Sequence, residues 1–217
     1  MNIEQARFNM IEQQIRPWDV LDPHILQLLA AVKREDFCPL AHKALAFVDM
    51  EIPLGSGASM LSPKVEARML QDLEVHKHEK VLEIGTGSGY MAALLAHRAQ
   101  QVISLEIVPQ LAQMARANLQ RAGISNCEVH TADGSKDLGS GGMFDVIVLS
   151  GSVAHIPLAL LALLKPSGRL AAVVGNEPMM RANFVTKSAD GTTRTMQPWD
   201  TVAPRLLGFG EDSKFIF

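Results

Sequence analysis

Little in this chain points outward, to a membrane, to nucleic acid or to an oxidising compartment. Its two cysteines, Cys38 and Cys127, lie far apart and have no CxxC or Cys/His spacing, which excludes a disulfide framework and a zinc-type ligand set. Both read as reduced, packed thiols. No apolar run approaches the ~18 residues a membrane-spanning helix needs, and the start MNIEQARFNM lacks the basic head and apolar core of a signal peptide. The net charge is only −3, so there is no general attraction to nucleic acid or anionic lipid. Repeats and low-complexity tracts are absent as well. The expectation is a cytoplasmic protein without a metal. With 217 residues, 47% of them hydrophobic, the chain can bury a sizeable core as one domain.

What is present is concentrated in Lys80 to Tyr90, KVLEIGTGSGY. Val81 to Ile84 suit a buried parallel strand. Gly85, Gly87 and Gly89 remove the side chains that would hold a ligand away from the main chain. The following run from Met91 to Ala96 reads as a helix whose N-terminus faces this turn. Two cofactor classes use such a turn. The dinucleotide pattern G-x-G-x-x-G/A can be started at Gly87 and ends on Ala92, so spacing alone leaves NAD open. The longer phrase from Glu83 to Gly89, E-x-G-x-G-x-G, resembles the S-adenosylmethionine loop of class I methyltransferases.

The context repeats the logic. Val102 to Glu106 is a second strand ending in an acid that could accept from both hydroxyls of a ribose, although an acid also suits the entry to a helix. A third strand, Cys127 to Thr131, leads to Asp133-Gly134, an acid placed to accept from an adenine amino group or simply an Asp-Gly turn. Strands at 80–84, 102–106, 127–131, 145–149 and 169–174 alternate with helices at 89–99, 108–122 and 156–165. That alternation predicts an α/β fold, a mostly parallel Rossmann-like sheet with helices on both faces. A hairpin around Asp190-Gly191 adds an antiparallel edge. Ahead of the sheet, helices are predicted over 2–16, stopped by Pro17, over 25–34 after the Asp22-Pro23 cap, and over 65–73 after Ser62-Pro63. Residues 36–60 lack periodicity and read as an extended or looping region. The N-terminal helices are free to cap the ligand edge, so the expected organisation is a single domain: 1–75 helices and active-site loop, 76–175 cofactor-binding core, 176–217 edge strands. Ligands in such sheets sit at the carboxyl ends of strands near the switch in strand order, which selects the glycine loop, Glu106, Asp133 and the segment Ser150 to His155.

Beyond the superfamily, Arg34-Glu35-Asp36-Phe37, Ala46-Phe47-Val48-Asp49, Ile52-Pro53-Leu54-Gly55, Ser62-Pro63, Ala67-Arg68-Met69 and the glycine loop through Tyr90 follow in an order that resembles the protein-L-isoaspartate O-methyltransferase family. Asp133-Gly134, Phe144-Asp145, Ile156-Pro157 and Val174-Gly175 continue the likeness over most of residues 30 to 175. The resemblance implies methyl transfer from S-adenosylmethionine to the free carboxylate of isoaspartyl residues in damaged proteins. It implies cofactor contacts from Glu83, Gly85, Thr86, Gly87, Gly89, Glu106, Ile107, Asp133, Gly134 and Ser150. The family's loop G-Q-T-I-S stands here as Gly57-Ala58-Ser59-Met60-Leu61, so leucine occupies the serine position and Ser59 becomes the candidate catalytic hydroxyl. Ser62 reads as a helix cap. Such chemistry needs no general base, because a carboxylate is already ionised near neutral pH; it needs alignment and removal of water.

Two further readings follow from the residues. His155, just after the fourth strand, could serve as general base for a hydroxyl acceptor in a small-molecule O-methyltransferase. Alternatively, the altered loop could belong to a non-catalytic cofactor-binding homologue that recognises a protein partner through its N-terminal helices.

Overall fold

The computed structural model describes residues 2–137 and 142–210. The first helix, α1 (Ile3–Met10), takes its cap from Asn2, whose side chain accepts from Gln5 N–H. The predicted helix over 2–16 does not run through as α-helix: it widens to a π turn at Ile11–Ile15 and tightens to a 3-10 turn at Arg16–Trp18. Pro17 lacks an N–H, and the ladder ahead of it is remade. Asp22 caps α2 (Pro23–Ala31), its carboxylate 2.8 Å from His24 N–H, as the Asp-Pro signal predicts.

Residues 36–60 carry more structure than the sequence shows. A 3-10 segment spans Leu40–Phe47, and β1 (Ile52–Gly55) pairs antiparallel with β2 (Ala58–Met60). The turn between them has positive φ at Gly55, Ser56 and Gly57. Strands of four and three residues are too short to show a period of two. Next, α3 (Pro63–Leu73) begins at Ser62, the expected cap position, but the serine side chain makes no capping hydrogen bond.

From there the chain alternates: β3 (Lys80–Ile84), α4 (Tyr90–Arg98), β4 (Gln101–Glu106), α5 (Pro109–Arg121), β5 (Cys127–Thr131), β6 (Phe144–Val153), α6 (Leu158–Ala162), β7 (Leu164–Asn176), β8 (Met179–Lys187) and β9 (Thr193–Met196). The helix predicted over 156–165 shrinks to α6 because the chain joins the sheet at Leu164, which pairs with Phe144. The sheet order is β5-β4-β3-β6-β7-β8-β9. The pairs from β5 to β7 are parallel, and β8 and β9 close the edge antiparallel. The predicted hairpin around Asp190-Gly191 joins β8 to β9, with β8 starting earlier than the sequence suggests.

Alternation of side chains divides the core into two layers. Val81, Val102, Val129 and Val146 belong to one buried cluster with α3 to α5. Leu82, Ile84, Leu105 and Ile147 belong to a second cluster, with Leu160 of α6 and Leu206. The N-terminal helices pack beside α3 and α4. The strand order reverses between β3 and β6, so the ligand crevice of an open α/β sheet belongs at their carboxyl ends.

Candidate functional site

A cleft opens at that reversal, lined by Ser59, Gly85, Gly87, Glu106, Ile107, Gly134 and Ser150. Seven of the expected residues thus meet at one place. Gly85 (φ +89) and Gly87 (φ +54) hold left-handed backbone, and a Cβ on Gly85 would come within 2.5 Å of Leu206 Cδ2. A side chain there would fill the crevice, which is why the turn demands glycine.

Glu106 ends β4 and is 4% exposed. Its Oε2 accepts from Gly87 N–H at 2.7 Å and its Oε1 from Val108 N–H at 3.0 Å. The carboxylate therefore ties the glycine loop to the entry of α5. A carboxylate has about four acceptor sites, so hydroxyls arriving from the cleft still find partners on it.

Other expected residues stand behind or beside the cleft. Glu83 is fully buried; Ser104 Oγ donates to its Oε2 at 2.5 Å and Ser150 Oγ to its Oε1 at 2.7 Å. Burial pushes its carboxyl up to about 8, with the serine hydrogen bonds opposing. It holds Ser150, which lines the cleft, and is not itself among the lining residues. Thr86 turns its hydroxyl to Ser104 Oγ, 2.5 Å away. Gly89 caps α4, and a Cβ on it would meet Ala115 of α5 at 3.3 Å, so this glycine serves helix packing. Asp133 lies at the rim. Its carboxylate accepts from Ser135 Oγ (2.6 Å) and Ser135 N–H (3.0 Å), contacts that hold its pKa below the usual range, helped by Lys136 at 3.2 Å.

Across from the glycine loop, Ser59 of β2 is half-buried and lines both the cleft and a small cavity beneath it. That cavity is walled also by Leu61, Glu66, Thr86 and Tyr90. Leu61 is 3% exposed and joins the core, and its carbonyl accepts from Arg34 Nη2 at 2.6 Å. Arg34 is completely buried and pairs with Glu66 while its guanidinium lies 5.1 Å from the Tyr90 ring centroid. Burial pushes Glu66 up to about 7 although Arg34 opposes it. The Tyr90 hydroxyl is buried without a hydrogen-bond partner among the described residues. His155 is exposed and lines neither the cleft nor this cavity.

Residues that sequence reasoning missed come from the C-terminal segment. Pro204, Arg205, Leu206 and Leu207 line the cleft. Ser152 N–H donates to Pro204 O at 2.7 Å, and Leu206 N–H to Ser152 O at 2.9 Å, which lays the segment along the end of β6. Leu206 fills the space over Gly85 and Gly151, and a Cβ on Gly208 would come within 2.6 Å of Asp133 Oδ1. The open volume left in the cleft is about 50 Å³, well below the roughly 300–1,000 Å³ of ligand pockets. An apolar pair after Ala203-Pro204 was the only signal in the sequence, and it names no destination. Buried Arg34 and Glu66 were equally silent, since charges 32 residues apart do not announce a pair.

The donor set suits a nucleoside carrying an amino-acid end: bare glycine backbone, a braced acid for hydroxyls, and an apolar rim of Leu105, Ile107 and Ala132. Comparison with known proteins agrees. The chain is 39% identical over 178 residues to protein-L-isoaspartate O-methyltransferase 2 of Syntrophobacter fumaroxidans, covering 82% of this chain and 72% of that one. It is 40% identical over 171 residues to protein-L-isoaspartate O-methyltransferase of Methanoculleus marisnigri, covering 79% and 78%. The fold matches a Plasmodium falciparum protein crystallised with S-adenosyl-L-homocysteine at a TM-score of 0.76 and 19% identity, over 96% of this chain and 99% of that one. The profile of the protein-L-isoaspartate(D-aspartate) O-methyltransferases matches residues 5–202, and the chain belongs to that family.

Proposed function

We propose that this protein transfers a methyl group from S-adenosylmethionine to the free carboxylate of L-isoaspartyl residues in damaged proteins. The observation that carries the reading is the facing of two walls: the glycine loop braced by Glu106 on one side and Ser59 of β2 on the other, across one cleft. In this reading the chain is one methyltransferase domain: the described residues up to 75 supply the acceptor wall, those within 76–175 the cofactor core and those from 176 onward the edge and roof. A cytoplasmic setting goes with it, supported by the two free cysteines.

When bound, the cofactor supplies an electrophilic methyl group on a positively charged sulfur. This chain's residues supply position and a dry setting. Glu106 takes the ribose hydroxyls and Asp133 the adenine amino group, while Gly85 and Gly87 admit the ligand against the main chain. Glu83 keeps Ser150 turned inward, and burial makes it largely the neutral acid near pH 7, so it adds little negative charge to a site that must accept a carboxylate. Ser59 donates its hydroxyl to the acceptor carboxylate and fixes which oxygen faces the methyl. No proton has to move: the acceptor carboxylate is already ionised, so these residues need only hold one oxygen toward the methyl the cofactor would supply, where the two opposite charges would cancel. Charge cancellation is favoured where water is excluded.

The test is transfer of labelled methyl to an isoaspartyl peptide beside its ordinary aspartyl twin. Label on the isoaspartyl peptide alone supports the reading. Cofactor binding by calorimetry with no label on either peptide sinks it.

A further inference from the structure

Next to the cleft lies a larger, open groove of about 1100 Å³, walled in part by Trp18, Met50, Glu51, Ser62, Met179 and Val202. Two chain segments connect them. Between β2 and the start of α3, Ser59 lines the cleft and Ser62 the groove; in the C-terminal segment, Val202 lines the groove and Pro204 the cleft. An occupant of the groove is therefore held within a few residues of Ser59. The groove stands at the upper end of the roughly 300–1,000 Å³ of small-molecule pockets and is open, which suits a stretch of polypeptide.

Its surface has two properties that a folded interior does not need. Met50, Val202 and Met179 leave 40%, 48% and 82% of their surface exposed, a cost in apolar hydration that is not recovered among the described residues. Methionine is unbranched and polarizable and repacks around varied side chains. The second property is charge. Lys64 is committed to Asp49 at 2.8 Å, with its ammonium 3.9 Å from the centroid of the Trp18 ring, and Arg181 is committed to Asp200 at 2.8 Å. Glu51 has no such partner among the described residues. Burial and the neighbouring charge of Glu177 both hold its carboxyl above the usual range. Glu51 itself lines the groove, so a cation seated there meets its carboxylate and relieves that repulsion. Ser62, whose hydroxyl is not spent on capping α3, offers the same occupant a hydrogen bond.

We propose that this groove seats the polypeptide flanking the acceptor carboxylate, with an apolar side chain among Met50, Met179 and Val202 and a lysine or arginine against Glu51. The proposal rests on the isoaspartyl reading for the identity of the acceptor, and extends it to the sequence around the damaged residue.

The test compares two isoaspartyl peptides that share a leucine and differ in one flanking residue, lysine or glutamate. Binding to the full-length protein is measured by calorimetry with S-adenosylhomocysteine present, and methyl transfer is followed in parallel. The lysine peptide should bind roughly tenfold more tightly, because the exchange turns attraction into repulsion at a partly exposed site. In the E51Q/E177Q double variant the ratio should fall to about twofold or less, with S-adenosylhomocysteine affinity unchanged. Met179→Ala should weaken both peptides about threefold. Equal binding of the two peptides by the unaltered protein overturns the proposal, as does a charge preference that survives in the double variant or failure of both peptides to bind. Methyl transfer without charge preference removes the groove assignment and leaves the repair reading standing. Charge preference without methyl transfer does the reverse.

Discussion

Glu106 shows how much a single residue can hold. It accepts from the N–H of Gly87 and of Val108 at once, so the side chain that would meet a ribose also fixes the loop beneath it. Glu106→Ala should therefore weaken cofactor binding by roughly 100-fold, from the loss of charged hydrogen bonds and of loop order together. Calorimetry with S-adenosylhomocysteine checks it; an unchanged dissociation constant would remove the ribose assignment. Glu106→Gln should fall between, since the amide keeps one accepting oxygen and turns its other end into a donor. This residue was legible in the sequence because its place follows from a motif: a strand, an acid at its end, a proline opening the next helix. Leu61, Arg34 and Glu66 were not. Their roles depend on three-dimensional neighbours, and a buried Arg–Glu pair has no spacing that distinguishes it from two surface charges.

At the scale of elements, the strands and helices with strong periodicity, β3 to β5 and α4 to α5, stand within a residue or two of where the pattern puts them. The elements that escaped are those shaped by tertiary pairing: the β1–β2 hairpin, the shortened α6, and the Pro204–Gly208 segment laid on the end of β6. That last segment has a measurable consequence. Leu206 is 9% exposed and sits over Gly85 and Gly151, so a ligand entering against the glycine loop has to move its side chain. Displacing a buried leucine costs about 1–2 kcal/mol. Leu206→Ala should remove that opposition and tighten S-adenosylhomocysteine binding roughly tenfold, read by calorimetry. Weaker binding would mean that the leucine packs on the cofactor instead of standing in its place.

The whole molecule carries its titration in two separate windows. Buried Glu79 and half-buried Asp145 lose some of their acidity to burial but are held below their ordinary pKa by Arg169 and Lys165; what these pairs contribute to stability is lost only as pH falls through the carboxylate range. For two other buried acids the sign is reversed, because burial outweighs the contacts that oppose it. Burial pushes Glu83 from its ordinary 4.5 up to about 8 and Glu66 up to about 7. Between those values the unfolded chain has released protons that the folded chain retains. Stability contributed by the protonated forms is thus fully present below the unfolded pKa and is lost as pH rises through the folded one. The melting temperature should decline from about pH 5 to about pH 8, a range in which most carboxylates have finished titrating. Glu83→Gln keeps the shape and lets Ser104 and Ser150 rotate their hydroxyls to suit the amide, but it cannot ionise. It should flatten the decline, leaving the smaller part that belongs to Glu66, while the acid limb set by Glu79 and Asp145 stays where it was. A melting temperature in the unaltered protein that is constant across this range would show that Glu83 ionises without penalty. The neutral acid invoked behind Ser150 would then have to be given up.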